Sequence, residues 1–530
     1  MPLVTERNRK WWVVLAMALT TLLMTIDFNG ITVALPTIGR DLDTSTTGLQ
    51  WTINAYLLSL AAPSVAAGRL ADIFGRRKVL LIGTVVFIAG SAGSGLAQAD
   101  WWLIAARVVQ GFGAAAFFAA SLSIVSNAFP PNERSKGIGV WAGIGTVGLA
   151  IGPLVGGYLT QTLSWRWFFF VNIPVAALAI ILTLVAVRES KDESASRHID
   201  LAGLLAVTVG LAALVLAIQQ SDTLGWGSAL VVGSLVIAML LFGLFFFIEP
   251  RLREPLIDLG LFANRSYFGA CGVAYAQNFG FAALLFFLTL YLQNILGYSP
   301  LQAGFVFLAF SVILAVVDSF AGRLAAAVGA RPLMAVGMAL CAVAFLLLFL
   351  LRPTSGLAIV IAALLVAGVG QALAYTVSTT GGMQAIPEAK AGAASGILSM
   401  IRLLGAVFGV AVTGALFKAM ENDRLVELLT AAGAKLDASD RAEVRGLLSG
   451  SDAAEDKLTH LAPNVAEQVD RVVREAFVHA FDGAMLLCMA VSLVGVLAAF
   501  LVAGKSPQPQ HTAGPTPESP TPRTGHTQVE

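Results

Sequence analysis

The sequence predicts an all-α polytopic membrane protein, and three observations carry that prediction. Of its 530 residues, 57% are hydrophobic and 12% are charged, roughly half the charged share of a soluble globular domain. The apolar residues fall into runs of membrane-crossing length, about 20 residues each. Lysine and arginine concentrate in alternate short connections between these runs, the asymmetry that fixes orientation in a bilayer.

Taken in order, apolar runs near 11–35, 50–68, 79–97, 102–124, 137–160 and 167–187 read as six helices. Two more lie near 200–219 and 229–248, and six near 267–291, 301–321, 332–351, 356–380, 393–417 and 480–503, about fourteen in all. Arg7, Arg9 and Lys10 before the first run superficially suggest a signal peptide. The run is too long for one and contains Asp27, so it reads as a retained first helix. An even number of spans puts both termini on one side. Arg76, Arg77, Lys78, Arg134, Lys136, Arg188, Lys191, Arg197, Arg251, Arg253, Arg265, Arg331 and Lys390 fall on the side of the termini, against only Arg40, Arg166 and Arg352 on short connections opposite. Both termini are therefore expected in the cytoplasm.

The expected organisation is a six-helix bundle over residues 1–190, two linker helices over 191–262 and a second six-helix bundle over 263–503. Residues 419–479 are charged and amphipathic and read as an extracellular helical hairpin, with Pro463-Asn464 as a helix start and Asn464 as N-cap. Residues 504–530, rich in Pro, Thr and Ser, read as a disordered cytoplasmic tail. Gly322-Arg323-Leu324-Ala325 and Gly329 echo Gly68-Arg69-Leu70-Ala71 and Gly75, with Ala326 in place of Asp72, as internal repeats in transporters do.

Several function classes are disfavoured. A net charge of +1 gives no global field to attract nucleic acid. Cys271, Cys341 and Cys488 lie apart inside apolar runs, without disulfide or zinc spacing. Gly143-Ile144-Gly145-Thr146-Val147-Gly148 satisfies a dinucleotide-binding pattern but lies inside a span with no preceding strand, and no phosphate-binding loop points to ATP. No nucleophile–base pair shares a depth, so an enzyme is not expected, and His198, His460 and His479 receive no catalytic role. No bound cofactor or metal is expected.

The candidate residues are charges and polar groups inside spans. Asp27 falls about 12 Å from the outer end of the first run, and Arg107 about 8 Å from the outer end of the fourth. Ionisable residues at such depth face a bundle interior or a wet cavity and mark proton relays. A cation beside such a carboxyl would decide whether it holds a proton, and a static ion pair is the plain alternative. Gly145 to Gly157, with Gly152-Pro153, offers small residues for close helix packing and a site for a bend. Arg402 and Asp318 are candidate substrate contacts, as are Asn54, Gln110, Tyr275, Asn278, Phe281 and Tyr375, with Trp51 and Tyr56 beside them.

Between the second and third runs stands Gly68-Arg69-Leu70-Ala71-Asp72-Ile73-Phe74-Gly75-Arg76-Arg77-Lys78, in which glycines and an Asp frame the cations. It resembles the signature loop of the major facilitator superfamily. Arg107 with Gln110-Gly111 resembles that family's fourth-helix motif, and Gly148 to Gly157 the fifth-helix motif shared by exporters. Asp27 with Val33-Ala34-Leu35-Pro36, Trp165-Arg166-Trp167-Phe168-Phe169 and Asn172-Ile173-Pro174 are similar to the fourteen-helix drug:proton antiporters of the QacA/EmrB type, from which Phe28-Asn29-Gly30 departs. The resemblance implies the major facilitator fold and a monomeric exporter of amphipathic drugs or antibiotics in the bacterial plasma membrane, driven by the proton gradient through alternating access. It implies proton coupling at Asp27 and Arg107, and conformational switching at Gly68, Asp72, Gly75, Arg76, Arg77, Gly152 and Pro153. The rivals are an importer on the same scaffold and a transport-inactive sensor.

Overall fold

A computed structural model describes residue 5 and residues 8–130, 133–191, 200–252, 257–352, 356–387, 390–431 and 463–502. Regular structure among these residues is helical throughout. The first group comprises α1 (Arg9–Asp41), α2 (Thr46–Phe74), α3 (Arg76–Gly95), α4 (Asp100–Ala128), α5 (Arg134–Thr162), α6 (Trp165–Phe170) and α7 (Asn172–Ala186). Then come α8 (Leu201–Leu224), α9 (Ala229–Ile248), α10 (Arg265–Leu290), α11 (Pro300–Val328), α12 (Ala330–Phe349), α13 (Leu357–Gln384), α14 (Ala391–Ala431) and α15 (Pro463–Ala499). The short α6 continues into α7 as one crossing, and α10 ends in a π-turn, so fourteen segments are long and apolar enough to span a membrane.

Local chemistry sets many of the helix starts. The side chains of Ser45, Asp200, Ser228 and Asn264 accept bonds from first-turn amides, the N-cap geometry. Ser299 forms a full capping box with Gln302, and Pro300 opens α11, where its missing N–H is not needed.

The boundaries differ from the apolar runs in an informative way. Helix α1 passes through Pro36 and ends only at Asp41, so Asp27 lies about 21 Å from that end by helical rise rather than 12 Å. Helix α2 runs to Phe74 and α3 starts at Arg76, leaving Gly75 alone as the connection. Its φ of +110°, like +106° at Gly329 between α11 and α12, is a conformation that glycine tolerates and other residues resist. Helices α14 and α15 have 41 and 37 residues, about 60 and 55 Å, well beyond the ~30 Å of a bilayer core. The sides of the expected hairpin are thus continuous with the spans. Helix α15 begins at Pro463, so Asn464 is its second residue and not its cap. The hairpin's tip, the tail, Arg197, His198, Arg253 and His460 lie outside the described residues.

Helices α1, α4, α5 and α7 pack together, with α2 and α3 on α4; α10, α13, α14 and α15 form a matching group with α11 and α12. Helices α8 and α9 pair with one another, and α8 touches both α2 and α14. The two groups meet along α5–α11 and α2–α14.

The α5–α11 contact is tight at one end and open at the other. A Cβ on Gly157 would lie 2.5 Å from the Pro300 carbonyl oxygen, and one on Gly304 2.6 Å from that of Pro153. Gln161 accepts a bond from the Leu301 amide (3.3 Å), while Gln293 donates to the Val33 carbonyl (2.8 Å) and Lys418 to Thr47 (3.3 Å). Toward the opposite end, Gly139, Gly143 and Gly322 have nothing within 4 Å of a Cβ position. Gly139 lies five turns from Gly157 on one stripe of α5, and Gly322 likewise from Gly304 on α11. The two helices therefore part toward the end that carries Gly75 and Gly329.

Candidate functional site

Asp27 and Arg107 are both fully buried, and they meet. Arg107 Nη1 donates to Asp27 Oδ2 at 2.5 Å and to Gln110 Oε1 at 2.7 Å. Gln110 Nε2 donates to Asp27 Oδ1 at 2.9 Å, and Asn172 Nδ2 to the same oxygen at 3.1 Å. Asn172 also bonds Ser91 Oγ (3.1 Å), which donates to the Phe169 carbonyl at 2.8 Å. Arg107 Nε donates to the Thr52 carbonyl (3.2 Å), and the guanidinium carbon lies 4.1 Å from the Tyr56 ring centre. Every hydrogen-bond partner of Asp27 among the described residues is a donor, which its carboxyl oxygens accept. Arg107 Nη2 is buried with no acceptor among the described residues.

The pair was legible in the sequence: the two residues share a depth as expected, although α1 extends farther than its apolar run. Gln110, expected among substrate contacts, is instead held in this cluster. Asn54 is fully buried, and its amide finds no partner among the described residues. Asn172 and Ser91 were not singled out as contacts of Asp27; an intramembrane Asn just before Ile173-Pro174 was the available signal.

Helix α1 carries Asp27 along a glycine seam with α5. A Cβ on Gly148 would sit 2.1 Å from Thr25 Oγ1, and one on Gly156 2.1 Å from the Gly30 carbonyl oxygen. Gly152 lies against Asn29 and Gly30, while Pro153 and Gly157 turn to α11. Small residues of this kind let two backbones touch.

At the α2–α3 turn, Arg76 Nε donates to Asp72 at 2.8 Å, across the turn. The α3 amides of Arg77 and Lys78 donate to the Glu189 carboxylate at 3.0 and 3.1 Å, as a helix N-terminus favours an anion. Arg77 Nη2 donates to the Leu184 carbonyl at 3.0 Å, and the Arg76 amide to that of Ser190 at 2.9 Å. A Cβ on Gly75 would strike Glu189 at 2.7 Å, whereas Gly68 has only Ala119 nearby, at 3.8 Å. Asp72, expected to accept from a helix N-terminus or an arginine, accepts from Arg76; the α3 N-terminus is taken by Glu189, which nothing in the sequence marked.

The sequence profile of the Major Facilitator Superfamily matches residues 17–410. The chain belongs to the Major Facilitator Superfamily. It is 38% identical over 406 residues to the multidrug resistance protein Stp of Mycobacterium tuberculosis, covering 76% of this chain and 75% of that one. It is 31% identical over 417 residues to the tetracenomycin C resistance and export protein of Streptomyces glaucescens, covering 79% and 78%. Among solved structures it resembles a bacterial homologue of the human lysosomal transporter Spinster in an inward-facing, unoccupied conformation. The TM-score is 0.62 at 18% identity, over 93% of this chain and 98% of that one, a likeness of fold.

The superfamily's second bundle carries the other expected residues. Arg402 on α14 stacks on Tyr375 of α13, 4.0 Å from the ring centre, and Asn278 of α10 donates to the Arg402 carbonyl at 2.9 Å. Asp318 of α11 accepts a bond from Thr376 of α13, so Asp318, Tyr375, Arg402 and Asn278 form one neighbourhood. Phe281 stacks on Phe310 and leans on Phe28 of α1, at 5.6 and 6.3 Å between centres, which brings it to the junction of the two groups. Tyr275 packs on Phe279 and Phe408. Thr376, Ser378 and Thr379, which tie this neighbourhood together, passed unmarked in a run of hydroxyl residues that reads as a plain helix face.

Proposed function

We propose that the protein exports amphipathic small molecules, antibiotics among them, from a bacterial cell in exchange for protons. The end carrying Gly75 faces the cytoplasm with both termini, and the gap between α5 and α11 at that end admits substrate. Residues 1–190 and 263–503 act as the two moving bundles in a monomer, with the pair α8–α9 beside them.

The observation that carries this reading is the buried Asp27–Arg107 cluster on the helix that packs along α5. A proton arriving at Asp27 removes the charge that holds Arg107, Gln110 and Asn172. Helix α1 is then free to shift, and the glycine seam passes that shift to α5. Pro153 and Gly157 lie against Gly304 and Pro300, so α5 in turn moves the seal on α11. Substrate binding biases the same two arrangements, and only such differential binding can move the equilibrium. The names of the relatives support export of drugs, and superfamily membership supports proton coupling.

The test is uptake into inverted membrane vesicles of a fluorescent amphipathic cation and, separately, of a labelled aromatic polyketide, with and without an imposed pH gradient. Export in exchange for protons predicts gradient-dependent uptake of at least one compound. Gradient-dependent uptake into right-side-out vesicles instead would make the protein an importer.

A further inference from the structure

The two bundles each bury an arginine, but among the described residues only Arg107 has a carboxylate within ion-pair distance. Arg107 is paired with Asp27. Arg402 is 9% exposed, and no described carboxylate lies within ion-pair distance of it. Its Nη2 donates to Thr379 Oγ1 (2.8 Å), Ser378 Oγ (3.2 Å) and the Tyr375 carbonyl (3.3 Å), all neutral oxygens. Nε is buried without an acceptor, whereas Nη1 has no described partner and is not buried. Asp318, the facing carboxylate, accepts from Thr376 and is near enough to Arg402 to interact electrostatically, without a hydrogen bond or ion pair to it. A cation taken out of water needs a compensating anion, and this one keeps the accessible Nη1 without an acceptor among the described residues.

Position and surroundings give that anion a character. Arg402, Tyr375 and Asp318 lie 11, 9 and 10 residues from the helix ends nearest Gly75, a common depth of about 15 Å. That is the half in which α5 and α11 part. Tyr375 exposes 44% of its surface there, offering an aromatic face beside the guanidinium. We propose that Arg402 is an anion-recognising group of the substrate site, and that the substrate is an aromatic amphiphile bearing a carboxylate or ionised phenol. Arg402 takes the acidic oxygen through the free Nη1, a charge-assisted hydrogen bond, and Tyr375 stacks on the ring. The word substrate rests on the export reading; binding of the anion does not.

The full-length protein in detergent would be tested by thermal-shift titration with 2-naphthoate, 2-naphthamide and 2-naphthyltrimethylammonium, which share one ring system. Wild type should bind naphthoate about tenfold or more tighter than naphthamide, the worth of a charge-assisted hydrogen bond, and the ammonium weakest. R402Q should abolish the naphthoate preference. R402K, which keeps the charge and guards against a variant that fails to fold, should reduce it, because a compact ammonium cannot hold Thr379, Ser378 and the anion at once as the guanidinium does. Equal binding of all three compounds by wild type, no binding of any, or a preference that survives in both variants would overturn the proposal. Failure of vesicle export with the naphthoate preference intact would remove the export reading alone. Export without that preference would leave a transporter of another substrate class.

Discussion

The two bundles share their mechanics and differ in their charges. In the first, Gly83 and Gly113 press α3 to α4; in the second, Gly337 and Gly370 press α12 to α13, each pair within 3 Å of the other's carbonyl oxygen at the Cβ position. Gly148 and Gly156 bring α5 onto α1 as Gly405 and Gly409 bring α14 onto α10, and Gly75 and Gly329 turn with the same backbone conformation. The charges are not repeated: a closed Asp27–Arg107 pair stands in one bundle, and a separated Asp318 and Arg402 in the other. Shared seams suit two bodies that rock together, and in the mechanism we propose the divergent polar interiors divide proton coupling from substrate recognition.

The largest effect is expected at the closed pair. Asp27→Asn should reduce gradient-driven uptake to background and, by leaving Arg107 buried without its anion, cost about 3–5 kcal/mol of stability. The double variant D27N/R107Q should regain much of the thermal stability without regaining gradient-driven uptake. Recovery of both would make the pair structural and erase the division between bundles.

The seams come next. Gly156→Ala places a Cβ 2.1 Å from the Gly30 carbonyl oxygen and Gly409→Ala one 2.2 Å from that of Phe279. Each should lose about 1–3 kcal/mol as an overpacked contact, and uptake should fall with it. Gly143→Ala, facing open space, should keep uptake and gain up to about 1 kcal/mol from helix propensity. Melting curves on the three variants decide this, and equal losses would dissolve the contrast between a tight seam and an open mouth.

A smaller effect is expected at the two turns. Gly75→Ala and Gly329→Ala should each cost about 1–2 kcal/mol for their left-handed backbone. At Gly75 the added Cβ also meets the Glu189 carboxylate, so the fall in melting temperature should be smaller in a Glu189→Ala background. An unchanged fall would mean that Glu189 yields freely.

The smallest effect belongs to Lys10–Glu133 at the start of α5. Lys10 holds the exposed Glu133 carboxyl below the ordinary glutamate range. A depressed value in the folded state gives stability that is present above the unfolded value and lost as pH falls through the folded one. The slight difference in melting temperature between wild type and Glu133→Gln should therefore vanish under acid conditions, with uptake at neutral pH unchanged.

How much was legible follows from where information sits in a sequence. Apolar length announced the fourteen crossings and charge asymmetry suggested their direction, because a bilayer imposes both on local composition. Gly75 and Gly152-Pro153 were readable because their backbone demands are local. Asp27 and Arg107 stood out as charges in lipid, but Asn172, Ser91 and Glu189 did not. They act through contacts far apart in the chain, and a neutral amide in a span or an acid at a helix end looks ordinary. Gln110 stood among the candidate substrate contacts; only the packed structure shows its amide on Asp27. The ends of α1, α2, α14 and α15 were misjudged because hydropathy marks where lipid stops and not where a helix does.

The most direct measurement is proton release from the purified protein in weakly buffered detergent, on adding a compound that the vesicle assay shows to be transported. Substrate and proton are argued to bias opposite arrangements through Asp27. Wild type should therefore release protons on binding, with none released by D27N/R107Q at saturating compound. Equal release from both proteins would contradict that claim.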